Sequence, residues 1–120
     1  MNSTNLKELG FSEGVPLAKV SASDLPYQSG LFAILDKSVE GASDIVYIGR
    51  AKNLVGKIFG GILGGQGGKT TKKMHTMLFE EGFLGKVEIC WMATDELKAR
   101  RTDLLNKFKQ EHGEYPSWNM

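Results

Sequence analysis

A chain of 120 residues is long enough for one domain with a modest core and too short for two. Apolar residues at 41% and charged residues at 24% exclude a disordered or fibrous polymer. The 15 Lys and Arg nearly balance 14 Asp and Glu, so the net charge of +1 points to no partner.

Residues 1–29 are polar and turn-rich, with Pro16, Pro26 and "SASD", and read as an N-terminal extension draped over the core, with a short helix around residues 6–11. "GLFAILD" (30–36) is apolar and bounded by Gly and Asp, as a buried strand is. "DIVYIG" (44–49) is a second strand, and the short loop with Gly41 between them predicts a hairpin. "NLVGKI" spaces Leu54, Ile58 and Phe59 as one side of a short helix. A glycine loop follows, and Thr70 or Thr71 then caps a helix "KKMHTMLFEEG". "GKVEICWMA" (85–93) is a third strand, with Val87, Ile89 and Trp91 on one face. The last helix, capped by Thr94, runs to Gly113, a C-terminal capping glycine, and His112 near its end suits the helix dipole. The expected fold is α/β: a small three-stranded antiparallel-type sheet flanked by helices, in the order β-β-α-α-β-α.

The glycine loop poses a chemical question. "GGILGGQGGKTTKK" (60–73) ends its glycine run in "GGKT", which looks like the close of a phosphate-binding loop. That loop requires G-x-x-x-x-G-K-[ST], because its N–H groups must wrap the phosphates while Lys and Ser/Thr reach phosphate and Mg²⁺. Counted back from Gly68-Lys69-Thr70, the opening glycine falls on Leu63. The register excludes a nucleotide cradle. The charge pattern suggests another ligand. Between 50 and 73 stand Arg50, Lys52, Lys57, Lys69, Lys72 and Lys73, with no acid among them. Such a locally cationic segment suits a phosphate backbone.

The lone Cys90 lies in an apolar run, as a buried thiol in a reducing compartment does, and no Cys/His cluster has zinc spacing. "MNSTNLKELG" does not read as a signal peptide, and no apolar stretch reaches membrane-spanning length. A cytoplasmic protein with no membrane partner is expected.

"GLF" at Gly30-Leu31-Phe32 and "YIG" at Tyr47-Ile48-Gly49, with "AKNL" (51–54) and a closing helix that leads to Pro116 and Asn119, resemble the GIY-YIG nuclease superfamily over residues 28–119. The resemblance makes 30–120 the nuclease-like domain and implies single-strand scission of DNA. Tyrosines of the two motifs would surround the scissile phosphate, an arginine on the first helix would stabilise phosphoryl charge, and a glutamate on the last helix would hold one Mg²⁺ or Mn²⁺. The family's catalytic positions fall here on Phe32, Tyr47, Lys57 and Arg101. Only Tyr47 keeps the family's residue. Phe32 has no hydroxyl, Lys57 lacks the planar fork of arginine, and Arg101 replaces a metal ligand with a cation.

Leu97, Arg101, Leu104, Leu105 and Phe108 follow one helical stripe, so Arg101 either faces inward with a partner or snorkels from the stripe's edge. Asp103 lies roughly 200° around the helix from Arg101 and cannot easily serve for the missing glutamate, which leaves Glu96 and Glu88 as possible ligands. Arg50, Lys52, Lys69, Lys72 and Lys73, with His75 beside them, are the candidate nucleic-acid contacts. Three readings stay open: a nuclease fold that binds nucleic acid, DNA first, with cleavage weakened or lost; an active metal-dependent endonuclease with a variant site; and a non-catalytic protein-interaction domain. No cofactor follows from the residues, beyond the metal that activity would require.

Overall fold

The computed structural model describes residues 1–39, 41 and 43–119. The chain forms helix α1 (Ser3–Glu8), strand β1 (Val15–Pro16), two 3-10 turns (Leu17–Lys19 and Ala22–Asp24), strands β2 (Gly30–Asp36) and β3 (Ile45–Ala51), a π-helix (Gly56–Ile62), α2 (Lys69–Phe79), β4 (Val87–Ala93), α3 (Leu97–His112) and a 3-10 turn (Ser117–Asn119). The α/β class stands, but the element order differs in detail, because a further strand precedes the expected first one. The strand count differs too. Among the described residues the sheet has four strands, all antiparallel, in the order β1-β4-β2-β3. The added strand is only two residues long and contains Pro16, which an edge position tolerates because one side of an edge strand needs no ladder hydrogen bond. The hairpin loop includes positions 40 and 42, which lie outside the described residues, as does 120.

Strand β2 is buried along its whole length because it is central and covered on both faces, which explains its unbroken apolar run. On one face, Phe32, Ile34, Tyr47, Val87 and Ile89 pack against Leu54, Ile58 and Ile62 of the first helical segment and Met74 and Leu78 of α2. On the other, Leu31, Ala33, Leu35, Ile48 and Cys90 meet Leu104 and Phe108 of α3 and Leu6 of α1. Burial pushes the Cys90 thiol up to about 12, so it stays protonated and inert at neutral pH. Residues 1–29 supply Leu6, Phe11, Leu17, Val20 and Leu25 to these two layers.

Several helix boundaries need correction, beginning with α1, which spans Ser3–Glu8 and not residues 6–11. The helix after β3 does not stop before the glycines: the π-helix takes in Gly60 to Ile62, with Leu63 N–H reaching back to the Ile58 carbonyl at 2.9 Å. Helix α2 opens at Lys69 with Gly68 as its cap, so neither Thr70 nor Thr71 caps it. Thr71 is instead buried. At the other end of the fold, Gly113 closes α3 with φ +85°, donating to the Lys109 carbonyl at 2.8 Å as a capping glycine does. Thr94 does not cap α3 either; Glu96 occupies that position, and the Thr94 hydroxyl accepts from the Glu96 N–H at 3.2 Å. His112 does more than suit the dipole: its ring lies 4.3 Å from that of Phe108, and Nε2 is 3.0 Å from the Met1 amine.

Candidate nucleic-acid interface

The glycines of "GLF" and "YIG" sit where a side chain would not fit. Phe32 pairs across the ladder with Gly49, and Tyr47 lies two residues before Gly49 on the same face. Both rings therefore fold over the bare Gly49 backbone: a Cβ there would lie 2.5 Å from Tyr47 Cε2 and 2.6 Å from Phe32 Cζ. The two rings stand 5.7 Å apart, tilted by 36°. A register shift between Ile34 and Leu35 makes Val46 an extra residue and sets Tyr47 opposite Ile34. Gly30 begins β2 in an equally tight place, where a Cβ would lie 2.5 Å from the Met92 carbonyl and 2.8 Å from Leu54 Cδ1.

Tyr47 is 6% exposed and Phe32 fully buried. Burial holds the Tyr47 phenol above its ordinary value, although the nearby Arg101 guanidinium pulls the other way. Tyr47 is therefore a neutral phenol at pH 7. Arg101 is half-buried, and its Nε donates to the Ile48 carbonyl at 3.2 Å. Of the two orientations open to it, the inward, partnered one is found. Asn119 completes the cluster: its Oδ1 accepts from Ile48 N–H and its Nδ2 donates to the Ile48 carbonyl, both at 2.9 Å.

Beyond the end of β3 lies an open cleft of about 530 Å³ between the start of the π-helix and the first turn of α3. Arg50, Lys52 and Lys57 line it with Asn53 and Leu97, and no acid is among its lining residues. Asn53 shapes its floor by accepting the Gly56 N–H at 3.2 Å, which starts the helix. Lys57 runs along the wall and its Nζ donates to the buried Thr71 hydroxyl at 2.9 Å, tying the π-helix to α2. Arg50, Lys52 and Lys57 are thus brought together. Lys69, Lys72 and Lys73 are exposed on α2 outside the lining of this cleft.

His75 is not at the cleft. Its Nδ1 lies 3.0 Å from the Ile62 carbonyl, its ring stacks 4.6 Å from Phe79, and its edge covers Gly65. It fastens the glycine turn instead, because the π-helix continues far enough to carry Ile62 to it. Thr71, Asn53, Leu97 and Asn119 were not among the candidate residues. Of these, Asn53, three residues before Gly56 at a helix start, and Asn119, in the closing segment of the resemblance, left a readable signal.

The residues do not fit the divalent ion that the resemblance implies. A cation, Arg101, occupies the expected ligand position, and among the described residues no three His, Cys, Asp or Glu side chains converge. The Glu96 carboxylate meets Arg100 Nε at 3.3 Å, and Glu88 lies against Gly14 beside β1, at the edge of the sheet remote from β3. No helix of the described residues is long and apolar enough to cross a membrane. Comparison with protein-family models and with curated proteins finds no match to this chain.

Proposed function

We propose that this chain is a GIY-YIG-like domain that binds nucleic acid, DNA first, and that phosphodiester cleavage is weakened or lost. The observation that carries the reading is the acid-free cleft of Arg50, Lys52 and Lys57 at the end of the strand that carries Tyr47. Three cations without an acid attract phosphates by charge and by release of their counterions. The catalytic positions of the resemblance are disarmed: Phe32 brings no hydroxyl, Tyr47 is a buried neutral phenol, and Arg101 repels the metal that would activate water.

Fluorescence anisotropy with labelled DNA tests the binding. Affinity at low salt should fall as salt rises, with a log–log slope of about −2 to −3 for three phosphate contacts. Changing Arg50, Lys52 or Lys57 to Gln should each flatten that slope by about 1. Incubation of supercoiled plasmid with Mg²⁺ or Mn²⁺ should yield no nicked product. Nicking that Tyr47→Phe abolishes would instead make the chain an active endonuclease, and no binding at low salt would leave protein contacts as its role. The triple variant Phe32→Tyr, Lys57→Arg, Arg101→Glu restores hydroxyl, fork and carboxylate together, and should gain metal-dependent nicking.

A further inference from the structure

Tyr27 is 81% exposed, far more than any other large hydrophobic side chain among the described residues. The other exposed aromatics are already covered by neighbours: Phe79 stacks with His75, and Lys109 Nζ sits 4.8 Å over the Tyr115 ring. Tyr27 has no ring or cation partner among the described residues. Yet the backbone that carries it is firmly held. Leu25 is buried in the core just before it. The Gln28 carbonyl accepts from Leu54 N–H at 2.9 Å, and the Ser29 carbonyl accepts from Thr94 N–H at 3.0 Å. Ser29 Oγ adds a hydrogen bond to the Thr94 carbonyl at 2.8 Å. Leu54 adjoins Asn53, and Thr94 stands one turn before Leu97, both of which line the basic cleft. Segment 27–29 is therefore fixed close to the cleft, through residues next to Asn53 and shortly before Leu97, although none of 27–29 is itself in the lining.

Resting on the nucleic-acid reading of that cleft, we infer that its ligand is an unpaired DNA strand, with Tyr27 as the stacking platform for one base. Contacts to phosphates serve duplex and single strand alike. An exposed ring beside them separates the two, because a duplex hides the faces of its bases while an unpaired strand offers them. A fold that already fixes the backbone of Tyr27 lowers the entropy lost on binding.

The test compares a labelled oligo(dT) with a duplex of the same length, using the full chain at low salt. The oligomer should bind more tightly than the duplex. Tyr27→Ala should weaken the oligomer roughly 5- to 150-fold, the range of one lost base stack, so that the preference over duplex collapses. Tyr27→Trp should retain or sharpen that preference, which a loss of folding would not do. If the duplex binds as tightly as the oligomer, or if Tyr27→Ala weakens both by the same factor or neither, the inference fails while salt-sensitive DNA binding stands. If neither DNA binds, the underlying reading of the cleft fails with it.

Discussion

The chain carries two populations of glycine that do opposite things. Gly30 and Gly49 lie in strands with ordinary backbone angles and are needed for what they lack, since a carbonyl or two aromatic rings occupy the space of a Cβ. Of the glycines in the run at 60–68, Gly64 shares that demand, since a Cβ there would lie 2.6 Å from the Gly60 carbonyl oxygen, whereas Gly65 and Gly67 are needed for how they turn, with φ of +76° and +148°. Gly60 meets neither demand: its φ is not positive, and nothing lies within 4 Å of a Cβ built on it. A glycine-rich stretch is thus a weaker sign of a binding loop than two solitary glycines are of a packed aromatic site.

Alanine substitution can break that contrast. Gly30→Ala should destabilise most, by about 3 kcal/mol or more in urea denaturation, because the Met92 carbonyl belongs to a sheet that cannot yield. Gly49→Ala should cost about 2–3 kcal/mol, since the Phe32 and Tyr47 rings are both buried and have little room to turn aside. Gly67→Ala should cost about 1–2 kcal/mol through backbone strain. Gly60→Ala should be neutral or stabilise by up to about 1 kcal/mol, because alanine restricts the unfolded chain and favours a helix. If Gly60→Ala proved as costly as Gly49→Ala, the division between the two populations would collapse.

The sequence made the long strands legible because β2, β3 and β4 are apolar runs bounded by turn residues, and periodicity reports burial. Strand β1 left no such trace: two residues have no period, and Pro16 argues locally against a strand. The π-helix through Gly60 and Gly61 was hidden because glycine disfavours helices, and packing of Ile58 and Ile62 overrides that preference. At the site, the gathering of Arg50, Lys52 and Lys57 could be read from an acid-free stretch. The hydrogen bond of Arg101 to the Ile48 carbonyl, and the recruitment of His75 to the Ile62 carbonyl, join residues distant in sequence or separated by a turn. Only the folded arrangement reveals such partnerships.

The amide of Asn119 has a consequence for how copies of this chain meet. Strand β3 is an outer strand of the sheet, and its free side would otherwise present the Ile48 N–H and carbonyl to any passing extended segment. By satisfying both groups, Asn119 imitates one residue of a neighbouring strand and blocks recruitment of a real one. With alanine at that position, the unsatisfied edge would invite strand exchange between molecules, and self-association would grow with concentration in light scattering while the interior stayed folded.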